Sequence, residues 1–472
     1  MSGKVTIQIT NLTCTAKGDL VILNRVREKM RYRHPNAWHM RAYMPRGWDG
    51  YIYLMSERGS FATGFLPWVM ELLGDDTRVD ILDNRVLVEP GEIPNKIKKF
   101  HLRKEQVQAI QSVVENYLGD IYFPRGVISA ATNFGKSVTM AGIAGCYPEL
   151  KSLILLNDGT LYKQMLTDMP KLFRDWGYCQ GKNIKFGQVT VAMVQTLVNH
   201  LDRYRKELAN VAVLLVDECD LSTSKTYKKV LKYTPNAFVR AGLSGTVFLR
   251  NLAKDRVKNN TIRGQFGGEL FKIKNLELME LGYSTPVVVK INKGNDRLIR
   301  TSDYELEYLD GIVRNTARNK MWVGRVRYYL QKDIFPILIV AKFHEHVEEL
   351  YRLCQNSFWP KYEVRYVHGD IPDKDRDTII EGFRAGEFPV LISSMIVRRG
   401  QNMPLIRAIL NTAGGDSPET PLQLIGRGVR LDDSKAKVYY EDALDMGQYL
   451  NRHSKHRINY YYGEGFKIIK LL

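Results

Sequence analysis

The chain has 472 residues, more than one ordinary hydrophobic core holds, so two to four domains are expected. Hydrophobic residues at 44% and charged residues at 25% exclude a disordered or collagen-like chain. No apolar run approaches the roughly 18 residues of a membrane span, and the N-terminal stretch lacks the apolar core of a signal peptide. Lys plus Arg total 69 against 51 Asp plus Glu, a net +18, which favours a polyanionic partner through phosphate neutralisation. Cys14, Cys146, Cys179, Cys219 and Cys354 are scattered, without a Cys-x-x-Cys pair or a Cys/His cluster. A reduced, cytoplasmic protein is the expectation.

Residues 1–96 differ in texture from the rest. Positions 1–58 hold ten Lys/Arg and four Asp/Glu, a net +6. Arg25, Arg27, Lys29, Arg31, Arg33, Arg41 and Arg46 alternate with Tyr32, Trp38, Tyr43 and Trp48. Cations can neutralise phosphates while aromatics stack on unpaired bases. The same tryptophans can equally form the core of a small domain that the arginines coat. Gly91-Glu92-Ile93-Pro94 reads as a boundary, so 1–96 is expected to be a small α+β domain.

Apolar strand-like runs then alternate with helical patterns, the mark of parallel α/β units. The first series is 126–131, 152–156, 211–216 and 241–243. The second is 334–340, 363–367, 390–393 and 408–411. Two successive domains follow, 97–284 and 285–472.

The first run leads into Ala131-Thr132-Asn133-Phe134-Gly135-Lys136-Ser137 and then a helical pattern. Backbone N–H groups at such a helix start cradle phosphates. Lys136 would reach the β- and γ-phosphates and Ser137 would hold Mg²⁺. The strict phosphate-loop pattern has a further glycine where Ala130 stands, and a plain Gly-Lys-Ser helix cap gives the same residues. The run 211–216 ends in Asp217-Glu218-Cys219-Asp220, three carboxylates among four residues. Asp217 suits Mg²⁺, and Glu218 suits polarising an attacking water. Ser244-Gly245-Thr246 offers hydroxyls that link such a site to another surface. In Gln423-Leu-Ile-Gly426-Arg427-Gly-Val-Arg430, a continuous helix would put Arg427 and Arg430 on one face, where they could clamp a transferring phosphate.

The order of these segments resembles the superfamily 2 helicases, and within them the phage UvsW-like recombination helicases, relatives of XPB and RecG. Gly47-Trp48-Asp49-Gly50, Gly64-Phe65-Leu66-Pro67 and the tail around His453-Ser454-Lys455-His456-Arg457 carry the narrower likeness. The resemblance implies two tandem RecA-like parallel-sheet domains behind a small α+β domain, with ATP and Mg²⁺ bound between the two. It implies adenine contacts from Arg103 and Gln106, and phosphate contacts from Thr132, Asn133, Phe134, Gly135, Lys136 and Ser137. Gly400 and Asn402 would couple nucleotide to nucleic acid. Thr160, Gln195, Thr196, His368, Gly369 and Arg399 would touch the strand, joined by Trp48 and Arg46 of the first domain. Asn133 stands where the family has glycine, and Asn402 where it has aspartate. The expected activity is ATP-dependent unwinding or branch migration of forks and Holliday-type junctions in phage recombination, replication and repair. The alternatives are an RNA helicase and an ATP-gated clamp. The expected partners are branched or partly single-stranded DNA and recombination proteins, met by a monomer away from membranes.

Overall fold

Runs of aliphatic and β-branched residues closed by glycine or polar residues favour fully buried parallel strands, and two such sheets organise the chain. The computed structural model describes residues 3–40, 47–97, 100–248, 255–294, 301–395, 403, 405–417, 419–432 and 435–471. Contacts divide it into two units: Met1–Ala130 with Gly135–Lys272, and Ala131–Phe134 with Ile273–Leu472.

In the first unit the eight-stranded sheet runs Asn183–Lys185, Trp176–Gln180, Val189–Met193, Lys151–Leu156, Val211–Asp217, Val239–Ser244, Arg125–Ala130, Glu269–Ile273. Its central pairings are parallel, with Val127 opposite Gly242 and Asp217 opposite Leu243. The phosphate-loop strand and the acidic strand are thus one strand apart. At the usual inter-strand spacing their carboxyl ends lie about 10 Å from each other, a gap that one lysine side chain can cross. Val127, Leu153, Leu155, Leu214 and Val216 fill the core on one face of the sheet.

Residues before 96 form their own four-stranded sheet in the same unit, ordered Ser60–Ala62, Thr13–Gly18, Lys4–Ile9, Arg78–Asp83. Alternation in Lys4–Ile9 sends Val5, Ile7 and Ile9 inward. They meet Val26 and Met30 beside the helix Leu20–Lys29, and Leu66, Val69 and Leu73 of the helix Leu66–Leu73. The core extends to Phe123, on the other side of the 96 boundary. Two features fasten this small sheet. Buried Arg125 donates to the carbonyls of Asn11 (3.1 Å) and Gln265 (2.7 Å). Gly64 lies against the helix Arg256–Phe266 so closely that a Cβ would stand 1.9 Å from the Arg263 carbonyl oxygen.

The second unit holds a seven-stranded sheet, ordered Val364–Val367, Val390–Ser393, Ile337–Val340, Ala408–Asn411, Val438–Leu444, Val287–Lys293, Lys467–Leu471. Its pairings are all parallel. The expected run 334–340 begins as a strand only at Ile337, after Pro336, which has no N–H to give a ladder. Three strands carry charged or tyrosine residues and lacked a clear apolar signature: Val287–Lys293, Val438–Leu444 and Lys467–Leu471. The tail is a helix, Gln448–Gly463, whose buried Arg457 pairs with Asp442 at 2.8 Å. All five cysteines are free and buried. No helix among the described residues is long and apolar enough to cross a membrane.

Replacing Gly64 with alanine forces backbone apart where the small sheet meets the helix Arg256–Phe266. Equilibrium urea unfolding of G64A is expected to show a loss of about 1–3 kcal/mol.

Candidate functional site

The helix Lys136–Gly145 starts at Gly135, which sits in the left-handed region at φ 91° and carries no side-chain cap. The first-turn N–H groups therefore face the loop, with the positive helix end behind them. Gly135 has a second constraint. A Cβ there would meet Gln106 Nε2 at 2.4 Å. Gln106 cannot retreat easily, because it is buried and its Oε1 accepts the Arg103 N–H at 2.9 Å. The expected adenine element and phosphate loop are thus packed together through the one glycine. Asn133 lies at φ 73°. Asparagine tolerates that region better than most residues, which accounts for its standing at a glycine position. Ala131–Phe134 group with the second unit, where Asn133 Nδ2 donates to Ser284 Oγ at 3.2 Å.

Lys136 Nζ stands 3.5 Å from Glu218 and 3.8 Å from Asp217. Burial pulls the Lys136 pKa down, but Glu218, Asp217 and Asp220 more than offset it and the ammonium is held above its ordinary value. Asp217 is raised above the usual carboxylate range: burial raises it, Lys136 pulls it down, and Glu218 adds to the rise. These directions describe a cluster of carboxylates gathered around the Lys136 ammonium. Ser137 is half-buried at the same helix start. Its hydroxyl and the Asp217 carboxylate are the hard oxygen donors that Mg²⁺ takes. Glu218 adopts φ 50°, ψ 50°, an uncommon conformation for a non-glycine residue that re-aims the chain after the strand. Ser244 Oγ donates to Asp220 Oδ1 at 2.8 Å and lies 3.3 Å from Glu218 Oε2. The Ser-Gly-Thr segment therefore contacts the acidic segment directly. Lys258, which had no motif to mark it, lies 3.8 Å from Asp220.

Other expected positions are placed as follows. Gln195 is exposed and donates to the Asn157 carbonyl at 3.1 Å, joining two segments expected to touch the strand. Thr196 Oγ1 accepts from Gly181 N–H at 3.3 Å. Thr160 lies in the first turn of the helix Gly159–Leu172. His368 is buried and stacks on His344, and Gly369 is exposed. Trp48 is half-buried and its indole N–H donates to Tyr51 O at 2.9 Å, so its polar edge serves its own turn. In the same region Arg27 lies over Tyr53 (3.9 Å), Arg31 over Tyr51 (4.4 Å) and Arg33 over Trp38 (4.3 Å). Arg41, Tyr43, Arg46, Arg399, Gly400 and Asn402 lie outside the described residues.

One expectation is corrected. The helix Glu419–Gly428 ends before Arg430, so Arg427 and Arg430 do not share a helical face. A Cβ at Gly428 would stand 3.1 Å from Val438 and 3.2 Å from Ile409. The chain then leaves the helix, and the Arg430 carbonyl accepts from Thr285 Oγ1 at 3.0 Å. Both arginines are half-buried.

A phosphate-ready helix start, a lysine among carboxylates at the ends of parallel strands, and a second parallel-sheet unit define a P-loop NTPase motor of RecA-like architecture. Residues 99–249 match the family model "Type III restriction enzyme, res subunit", and residues 323–432 match "Helicase conserved C-terminal domain". The chain is 23% identical to the ATP-dependent DNA helicase uvsW of Enterobacteria phage T4 over 89% of this chain and 90% of that protein. It is 27% identical to IRC3 of Saccharomyces cerevisiae, a candidate ATP-dependent helicase, over 67% of this chain and 48% of that protein. It thus spans about half the length of IRC3. The fold is also that of S. cerevisiae Dbp5 bound to RNA and ADP BeF3, with TM-score 0.53 and 17% identity over 78% of this chain and 89% of that one. The chain belongs to the superfamily 2 helicases and stands close to their UvsW-like group.

Alanine at Gly135 must adopt a backbone conformation costing about 1–3 kcal/mol and displace Gln106. Titration of G135A with a fluorescent ATP analogue is expected to show affinity weakened on the order of tenfold or more.

Proposed function

We propose that this protein is an ATP-driven DNA helicase or translocase that unwinds or branch-migrates branched DNA. The observation that carries the reading is the Lys136–Asp217–Glu218 cluster, with its ammonium 3.5 and 3.8 Å from two carboxylates at the mouth of an uncapped helix. Lys136 binds the β- and γ-phosphates of ATP. Ser137 and Asp217 hold Mg²⁺, which when bound neutralises charge on the phosphates. Arg103 and Gln106 hold the adenine, Thr132, Asn133, Phe134 and Gly135 wrap the phosphates, and Gly400 and Asn402 take the ribose side. Glu218 orients a water and accepts its proton as the water attacks the γ-phosphate. Arg427 and Arg430 supply the second unit's positive charge to the transferring phosphoryl group. Separate positions in the sequence suffice for that role, since two guanidiniums need only converge on one phosphate.

Nucleic acid is contacted by Thr160, Gln195, Thr196, His368, Gly369 and Arg399, mainly through its backbone, so sequence preference is low. DNA rather than RNA is supported by likeness to a protein named as a DNA helicase over nine tenths of its length. The arginine–tyrosine pairs beside Trp48 support contact by the small first domain, with Arg46 in the adjoining segment. That domain selects the branched substrate, and recombination and repair of phage DNA are the setting this activity suits.

ATP hydrolysis measured with forked DNA, four-way junctions, duplex, single strands and RNA separates the readings. Branched DNA is expected to stimulate most and to be unwound. RNA-only stimulation would refute the DNA reading, and hydrolysis without strand displacement would favour the clamp. Lys136→Ala should lose hydrolysis on the order of 100-fold or more while retaining DNA binding. Arg427→Ala should lose hydrolysis on the order of 10³-fold with ATP binding kept.

A further inference from the structure

A cluster of metal-ligating side chains lies outside the nucleotide machinery, on the second unit. His344 opens the helix His344–Phe358, and His368 and Asp370 follow the strand Val364–Val367. One ligand atom from each of the three lies within 4.8 Å of the others. His344 Nδ1 is 2.7 Å from Asp370 Oδ2, and His368 Nδ1 is 3.8 Å from the same oxygen. The two imidazoles stack, with centroids 4.6 Å apart at 26°. From these positions we infer that His344, His368 and Asp370 form a binding site for a Zn²⁺-class transition metal ion.

The chemistry fits that ion. Two imidazoles and one carboxylate make a borderline donor set suited to Zn²⁺ rather than to Mg²⁺ or Ca²⁺. Tetrahedral bonds of about 2.0–2.1 Å place donor atoms about 3.3 Å apart, so rotations moving these atoms by about 1 Å close the site. His368 Nδ1 accepts the Asp370 backbone N–H at 3.3 Å, so that lone pair passes from the N–H to the ion on binding. Its Nε2 faces Glu348 at 3.6 Å, a carboxylate placed to hold the opposite proton as partners of metal-bound histidines do. The start of a helix is a positive end and disfavours a cation, but Glu345 and Glu348 in the first turns offset it. Asp370 is exposed, so the cluster is open to solvent on that side. Three protein ligands leave a fourth tetrahedral position for water or a phosphate oxygen.

Occupancy fixes the turn that carries His368 and Gly369, and on that account it alters nucleic-acid affinity. This consequence rests on the proposed function; metal binding itself does not.

The test is isothermal titration of the full chain with Zn²⁺, together with the visible spectrum of Co²⁺ added in its place. About one equivalent of Zn²⁺ is expected, with a tetrahedral-type Co²⁺ absorption. His344→Ala should weaken binding on the order of tenfold or more, and His344→Gln with Asp370→Asn, which keeps a hydrogen bond between the two positions, should abolish it. His200→Ala, removing an imidazole elsewhere, should leave it unchanged. Thermal melts and basal ATP hydrolysis of each variant show that the fold is retained. Absence of stoichiometric binding, or the same binding in the H344Q/D370N protein, overturns the site. Zn²⁺ binding with unchanged DNA and RNA affinity retains the site and refutes its placement on the nucleic-acid surface.

Discussion

One lysine among buried carboxylates governs the first unit. Asp217 and Asp220 are almost wholly buried and Glu218 is part-buried, all within one short segment. Such charges would be expelled from a protein interior if unpaired. Lys136, crossing from the phosphate-loop helix, holds Asp217 and Glu218, while Ser244 and Lys258 hold Asp220. The sheet order makes this possible, because the intervening strand Val239–Ser244 delivers Ser244 between the two ends. A parallel sheet that gathers three carboxylates at its carboxyl edge holds them there through these partners.

Gly135 extends this constraint to Gln106. Its left-handed backbone turns the loop into the helix, and its missing Cβ admits Gln106. On the proposed function, base contact and phosphate contact are parts of one packed arrangement. Glu218, at φ 50°, adds local strain immediately beside the carboxylates. Strain of this kind persists where surrounding structure over-determines it, and here hydrogen bonds from both sides do so: the Glu218 N–H donates to Asp217 Oδ1, and Leu221 N–H donates to the Glu218 carbonyl.

Much of this was legible in the chain itself. The strand Val211–Asp217 is an apolar run that ends in carboxylates, a pattern that marks a buried strand by itself and a binding edge only together with the Gly-Lys-Ser segment upstream. The helix after Gly135 and four strands of each unit were likewise readable from local pattern. What was hidden depends on contacts between distant residues. Nothing near Gly428 shows that the helix ends before Arg430 or that Val438 and Ile409 lie beside Gly428 after folding. Gln106 and Gly135 are neighbours only after folding. Val438–Leu444 reads as polar because buried Glu441 and Asp442 are neutralised by Arg325 and Arg457, which lie on other elements. His344 carried no motif, and its meeting with His368 follows from the helix packing on the strand.

On the proposed function, Glu218 activates water in a site that Lys136 and Asp217 build for ATP. The direct measurement is single-turnover hydrolysis and ATP-analogue binding by Glu218→Gln, which keeps the shape and removes the base. The account predicts ATP binding within a few-fold of the unaltered protein, with hydrolysis reduced on the order of 100-fold or more. Hydrolysis at the unaltered rate in Glu218→Gln would contradict it.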